Sequence, residues 1–203
     1  MPWIQHPIRL DGQHALLTPL EYLHFNELIN VSHDPRIWEF MPVMGHDPAT
    51  LRNALEQAME ARNKNERYPF VIIDKASNKV IGSTSYLKIN PEYKSLEIGW
   101  TWYHPDYWGT GVNEECKLML LTHCFETLGT IRVEIITWDK NLRSRKAIER
   151  IGGQLEGIRR NAAIRYNGKR NSVIYSIIDE EWPATKVKLT DLKNQRYQQL
   201  KTR

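Results

Sequence analysis

The stretch Ser95 to Asn113, SLEIGWTWYHPDYWGTGVN, limits what this chain can fold into more than any other. Its first nine residues, Ser95 to Tyr103, are rich in Ile, Trp, Thr and Tyr and stop at a His-Pro break, the signature of a half-buried strand. A turn at His104-Pro105-Asp106 follows. Trp108-Gly109-Thr110-Gly111 then brings two glycines to the start of a helical pattern running from Val112 to Thr127. Glycine lets backbone approach a ligand closely, and a helix N-terminus offers unpaired N–H groups and the positive end of its dipole. The combination predicts an anion site, with phosphate the natural occupant. A dinucleotide fingerprint would need a third glycine where Glu114 stands, and a Walker loop would need a Gly-Lys-Ser/Thr ending. The sequence has neither.

The other segments set the architecture. A strand is expected at His14 to Pro19, a helix over Leu20 to Ser32, and an apolar loop from His33 to Gly45 carrying Trp38, Phe40, Met41 and Met44. That loop reads either as one wall of a second ligand site or as a cap over the core. Asp47 and Pro48 suit the N-cap and first position of a helix reaching about Asn63, whose Leu51, Ala54, Leu55, Ala58 and Met59 share one face. Pro69 to Asp74 and Val80 to Ile89 read as a hairpin joined by the polar turn Lys75 to Lys79, which makes the central strand the next member of a meander. Ile131 to Trp138 reads as a strand, Asn141 to Ile151 as a helix ended by Gly152-Gly153, and Gln154 to Arg165 with Asn171 to Ile178 as a hairpin turning at Asn167-Gly168. Strand, two helices, three strands, helix, strand, helix and two strands make an α+β fold in a single domain. Residues 1–13 are expected as a lead, 14–182 as the domain and 183–203 as a polar, basic tail.

A chain of 203 residues, 41% of them hydrophobic, can bury a full core. No apolar run approaches the ~20 residues that span a bilayer, and the N-terminus lacks a basic segment followed by an apolar one, so a cytoplasmic protein without membrane contact is expected. Cys116 and Cys124 fall about two turns apart on one helix, roughly 12 Å, too far to pair with each other, and lack the partners of a zinc site. They are expected as buried thiols, with no metal. The net charge of +4 suits an anionic ligand but does not call for nucleic acid.

Three segments, in this order, resemble the GNAT superfamily of acyl-CoA-dependent N-acyltransferases, and within it the Rim-type enzymes that acetylate ribosomal-protein N-termini. They are Leu96-Glu97-Ile98-Gly99, Tyr107 to Glu115, and Asn141 to Gly152. The resemblance covers about Leu16 to Trp182 and implies a mixed, mostly antiparallel central sheet flanked by helices, with acetyl-CoA as co-substrate. The family loop, Gln/Arg-x-x-Gly-x-Gly/Ala, maps onto Trp108, Gly111 and Asn113. The first and last positions depart from it, and Asn113 places a side chain where relatives have almost none. Trp108, Gly109, Thr110, Gly111, Val112 and Asn113 would hold the pyrophosphate through backbone N–H groups. Backbone groups of Trp102 and Tyr103 would pair with the pantetheine arm, and Asn141 would contact the cofactor as well as cap a helix. Arg145 and Lys146, with Arg143, would lie beside its phosphates.

The implied reaction is attack of an amine on the acetyl thioester, which requires a neutral amine and hence a base. Glu97 matches the carboxylate that serves relatives as base, and His104 is a second candidate. Strand alternation would put Leu96, Ile98, Trp100 and Trp102 on one face and Glu97, Gly99, Thr101 and Tyr103 on the other. The tyrosine many relatives use to protonate the leaving thiolate falls at Ile148, which has no proton to give. Ser144 takes that role instead, with Tyr103 and Tyr107 as substitutes. The acceptor is a primary amine, either a protein N-terminus or a small molecule. The contrasting reading is a non-catalytic acyl-CoA-binding or ribonucleoprotein-interacting module of the same fold. Basic residues from Arg143 to Arg170 would steer an anionic partner, and Tyr197 and Leu200 are candidates for a homodimer contact.

Overall fold

Every segment read as a strand pairs into one eight-stranded sheet. The computed structural model describes residues 2–165 and 168–201, with the side chains of Leu200 and Lys201 outside that description. The strands are β1 (Leu10–Asp11), β2 (Ala15–Pro19), β3 (Arg67–Asp74), β4 (Lys79–Asn90), β5 (Ser95–Tyr103), β6 (Arg132–Trp138), β7 (Gln154–Arg165) and β8 (Gly168–Ile178). Their order is β1-β2-β3-β4-β5-β6-β8-β7. All neighbours are antiparallel except β5 and β6. Asn167 of the expected Asn-Gly turn lies outside the described residues.

Five α-helices cover the sheet: α1 (Phe25–Val31), α2 (Pro48–Asn63), α3 (Val112–Thr122), α4 (Leu142–Arg150) and α5 (Trp182–Lys201). On one face α3, α4 and α5 bury Val112, Cys116, Leu120, Ile148, Trp182 and Leu189 against Leu96, Ile98, Val133 and Tyr175. On the other, α1 and α2 bury Phe25, Leu28, Leu51 and Leu55 against Val71, Val80 and Trp102. Asp47 caps α2 by accepting the Thr50 N–H at 2.8 Å, with Pro48 at the first position. The helix expected over Leu20 to Ser32 instead begins as a 3-10 turn, Tyr22–His24, and becomes α-helical at Phe25. Val112 to Thr127 is helical throughout, with a π turn at His123–Thr127. Burial pushes the Cys116 and Cys124 thiols up to about 12, so both stay protonated at neutral pH.

Two expectations need correction. The sequence reads residues 183–203 as a polar, basic tail, yet α5 is docked: Trp182, Thr185 and Leu189 are buried, and the Trp182 indole N–H donates to Glu126 at 2.8 Å. The apolar stripe of α5 is thin and interrupted by charge, which hid it. The second correction concerns alternation along β5. Ser83 pairs with Trp102 and Ser85 with Gly99, so Trp100 and Thr101 together oppose Thr84, and Trp100 adopts φ +51°. This bulge inserts one residue and reverses the phase beyond it. Leu96, Ile98, Thr101 and Tyr103 face α3, whereas Glu97, Trp100 and Trp102 face the other way.

Candidate active site

The β5–β6 ladder is short. It pairs Ser95 with Arg132, Leu96 with Val133 and Glu97 with Glu134, and goes no further, although β5 runs on to Tyr103 and β6 to Trp138. Beyond Glu97 the inner edges of two parallel strands are therefore not paired with each other. The His104 N–H donates to Ile81 O at 2.8 Å, which fixes the antiparallel phase with β4. By that phase the N–H and C=O of Trp102 point to β4, and those of Tyr103 point into the opening. The Tyr103 carbonyl accepts the Trp108 indole N–H at 3.1 Å, so of the two backbone groups expected to meet pantetheine only the Tyr103 N–H lies uncovered on that edge.

At the end of this opening lies the glycine turn. Gly109 (φ +74°) and Gly111 (φ +92°) both hold left-handed conformations that favour glycine. A Cβ on Gly109 would meet nothing within 4 Å, whereas one on Gly111 would lie 3.0 Å from Arg196 Cβ and 3.4 Å from the Tyr197 ring. Gly109 therefore faces open space and Gly111 packs on α5. The Glu115 N–H is the first in α3 to bond back, to Gly111 O at 3.0 Å, which leaves the N–H groups of Val112, Asn113 and Glu114 as unsatisfied first-turn donors. Asn113 does not obstruct them, because its Oδ1 turns to accept the Tyr103 hydroxyl at 3.4 Å. Thr110 Oγ1 donates to Tyr107 O at 2.8 Å and fixes the turn. An open glycine, a row of free N–H groups and a strand edge suit a pyrophosphate joined to an amide chain, so the residues present fit acetyl-CoA.

Behind the turn are two carboxylates that the sequence reading passed over. Glu115, 2% exposed, accepts the Gln13 N–H at 2.5 Å, the His14 N–H at 3.1 Å and the Tyr197 hydroxyl at 2.7 Å. Tyr197 also stacks on His14 with ring centroids 3.8 Å apart. Glu114 lies 3.6 Å from Arg150 and 4.0 Å from Arg196. Glu115 thus ties the β2 lead-in and α5 to the start of α3, with the Tyr197 hydroxyl turned inward to it. Two adjacent acids in the first turn of a helix were the available signal.

On α4, Asn141 Oδ1 accepts the Ser144 N–H at 3.0 Å, so Asn141 is the N-cap. Ser144 sits in the first turn with no side-chain partner for its hydroxyl among the described residues. Arg145 turns toward β8, where its Nε donates to the Tyr175 hydroxyl at 3.1 Å, and Lys146 is exposed. Arg143 is the α4 cation that meets the loop, with its guanidinium 3.9 Å from the Trp108 ring centroid. Ile148 is buried in the core. His104 accepts the Asp106 N–H and serves the turn. Tyr103 is held protonated by burial, its hydroxyl directed at Asn113.

Glu97 is 8% exposed and faces away from α3. Lys88 Nζ bridges it at 2.8 Å and Glu134 at 3.3 Å, and Arg132 binds Glu134 at 3.1 Å. A pocket of about 220 Å³ opens there between Lys88, Ser95, Glu97, Arg132 and Glu134. The apolar loop lies over the same face of the opening. Trp38 packs on Trp102 of β5, ring centroids 5.2 Å apart, and Phe40 meets Trp138 of β6 edge-on at 5.6 Å. Trp38 is fully buried, so the loop is a core cap at Trp38 and touches both edges of the opening.

Comparison with known proteins fits this geometry. The family described as Acetyltransferase (GNAT) domain matches residues 14–154. The chain belongs to that family. It is 25% identical over 166 residues to "Probable N-acetyltransferase YjcK" of Bacillus subtilis (strain 168), covering 78% of this chain and 90% of the relative. It is 31% identical over 106 residues to "Putative ribosomal N-acetyltransferase YdaF" of the same organism, covering 52% and 57%. A GCN5-related N-acetyltransferase from Brucella melitensis superimposes with a TM-score of 0.84 at 27% identity, over 92% of this chain and 85% of that one. As a GNAT protein the chain is assigned to acetyl transfer. Among the described residues no helix is long and apolar enough to cross a membrane.

Proposed function

We propose that the chain is a cytoplasmic enzyme that transfers the acetyl group of acetyl-CoA to a primary amine by direct attack. The observation that carries this reading is the ladder between β5 and β6, which stops at Glu97 and Glu134 while free N–H groups and an open glycine stand at the far end of β5. When bound, acetyl-CoA supplies an activated thioester carbonyl. Backbone N–H groups from Gly109 to Glu114 hold its pyrophosphate, with the adjacent loop residues Trp108, Thr110 and Val112 setting their direction. Tyr103 pairs with the pantetheine through its N–H, and Arg143 is better placed than Arg145 or Lys146 to add charge. Holding donor and acceptor together removes a large part of the entropic barrier.

Glu97 faces the side from which the acceptor approaches and takes the amine proton, directly or through water. Ser144 is the proton donor to the thiolate, since Ile148 has none to give. The 31% identity to a relative named as a ribosomal N-acetyltransferase favours a protein N-terminus as acceptor, within the Rim-type branch. The core position of Ile148 and the pairing of Glu97 with Lys88 are what favour a binding module without turnover, and thioester consumption with a supplied amine separates the two.

The loop is tested by calorimetric titration with acetyl-CoA in Gly109→Asp and Gly109→Asn. Both side chains tolerate the left-handed backbone and enter the same open space, but only aspartate brings a charge against phosphate. Aspartate is expected to weaken binding about 100-fold or more and asparagine about tenfold or less. Equal losses would show that the site does not hold an anion, and no binding by the folded wild type would overturn the acetyl-CoA reading.

A further inference from the structure

Among the described residues four buried side-chain polar atoms have no hydrogen-bond partner: His46 Nδ1, Thr130 Oγ1, Trp138 Nε1 and Arg170 Nε. Two of these belong to neighbouring strands. Trp138, 8% exposed, ends β6 and pairs with Ser172 of β8. Arg170 stands two residues before Ser172, on the same face and diagonally across from Trp138, a spacing of roughly 7–8 Å. The alternate residues Val133, Ile135, Val173 and Tyr175 point into the α3 core, so Trp138 and Arg170 point away from it, to the face that also carries Glu97. An unpaired buried donor is a standing energetic cost, and two of them on one face of neighbouring strands would both be satisfied by the oxygens of a ligand seated between them.

Their position in the fold indicates which ligand. Glu97 and Glu134 are the last pair of the β5–β6 ladder. Trp138 lies four residues beyond Glu134 and, with the residue inserted by the bulge, Trp102 lies five beyond Glu97, so the indole stands across the opening from the strand end that leads to the glycine turn. Phe40 covers Trp138, and the loop that carries it also rests on Trp102, so the Trp138 indole sits beneath the segment that bridges the opening. Burial and the nearby Arg165 lower the Arg170 pKa, and the carboxylates of Glu97 and Asp139 oppose that shift. Carboxylate on one side of the opening and two N–H donors on the other complement a molecule with an ammonium and a nearby oxygen.

We propose that Trp138 Nε1 and Arg170 form the oxygen-recognising half of the acceptor site, so that the accepted amine carries a carbonyl or carboxylate on the adjacent carbon. A peptide N-terminus and a free amino acid share this chemistry, and an isolated alkylamine lacks it. The inference rests on the acetyl-transfer reading above and narrows its acceptor. A site built with buried donors rejects an analogue without the oxygen because those donors then stay unpaired.

The test is steady-state thioester consumption by the full chain with alaninamide, alanine, a tripeptide beginning with alanine, and isopropylamine, each corrected to the concentration of neutral amine. Wild type is expected to favour alaninamide over isopropylamine by about tenfold or more in kcat/KM. Trp138→Phe and Arg170→Met are each expected to collapse that ratio, while acetyl-CoA affinity, read by calorimetry, stays within about twofold. Arg170→Met leaves the packing under Phe40 intact and decides the matter should Trp138→Phe fold poorly. Preference for alanine identifies the amino-acid source and preference for the tripeptide the peptide source, and either supports the site. A wild type indifferent to the oxygen, or variants that leave the ratio unchanged, would overturn it. A wild type that consumes no thioester with any of the four amines overturns the acetyl-transfer reading and this proposal with it.

Discussion

The end of β5 and its middle are built from different materials. At the end, the proposed ligand groups are backbone N–H donors, fixed by two glycines at φ +74° and +92° and by Glu115 behind them. In the middle, the proposed chemistry rests on side chains. Glu97 is held by Lys88 from the neighbouring strand and set beside Glu134 across the parallel ladder, and a bulge at Trp100 decides that Trp100 and Trp102, rather than Thr101 and Tyr103, share its face. A backbone site is carried by local conformation and tolerates a changed side chain, which is how Asn113 fits where relatives have a small residue. A side-chain site depends on partners distant in sequence, and one inserted residue redirects it.

The largest expected effect comes from the brace behind the glycine turn. Glu115→Ala would strand the Gln13 and His14 N–H groups and the Tyr197 hydroxyl in a buried place and free α5 from α3. Losing one partner of a buried charged network costs about 3–5 kcal/mol, so urea unfolding should show a large fall in midpoint, with acetyl-CoA affinity lost alongside. A cost below about 1 kcal/mol would mean that α5 and the β2 lead-in hold the turn without it.

This contrast also decides what could be read from the sequence. The glycine turn, the Asp47 and Asn141 caps and all of the longer strands were legible because each rests on a local rule about φ, N–H donors or periodicity. The phase of β5 beyond Gly99 was not, because nothing in Trp100-Thr101 announces that both will oppose Thr84. The helix α5 was hidden because Trp182, Leu189 and Leu192 form a narrow stripe among charges, and its value to the fold lies in Tyr197, a polar contact. Arg145 and Arg143 differ by little more than half a turn of α4, yet one reaches Tyr175 and the other Trp108, a choice made by neighbours that sequence spacing does not reveal.

Between the two regions sits Lys117, buried at 5% exposure, its Nζ donating to Thr101 Oγ1 at 2.9 Å with no carboxylate within ion-pair distance among the described residues. Burial lowers its pKa from 10.5 to about 8. Below pH 8 the lysine is charged in both folded and unfolded chains, and the folded chain carries the full desolvation penalty. Between pH 8 and 10.5 the folded chain has released a proton that the unfolded chain still binds, so stability rises with pH across that window. Lys117→Met removes the penalty. It should stabilise the protein at pH 7 by up to about 3 kcal/mol, less the lost Thr101 bond, with the gain shrinking to nothing above pH 10.5. Urea midpoints at pH 7 and pH 10 measure this, and a methionine variant no more stable at pH 7 would show that the ammonium is better satisfied than by Thr101 alone.

The smallest effect concerns Lys88, and it asks whether the middle of β5 is a site or only a charge network. Lys88 is 57% exposed in its side chain, so its pairing with Glu97 contributes little to stability. On the proposed role of Glu97, the Lys88 ammonium occupies the position at the carboxylate that an incoming ammonium would take, and the two would compete for it. Lys88→Met is therefore expected to lower KM for a cationic amine acceptor by about threefold while the melting temperature changes by no more than a few degrees. In Glu97→Gln that benefit should disappear, because neither ammonium then has a carboxylate to meet, and kcat/KM should fall modestly since positioning supplies most of the rate. If Lys88→Met leaves KM unchanged in both backgrounds, Glu97 does not meet the acceptor. The middle of β5 would then be structural, and the catalytic work would rest on the backbone at its end.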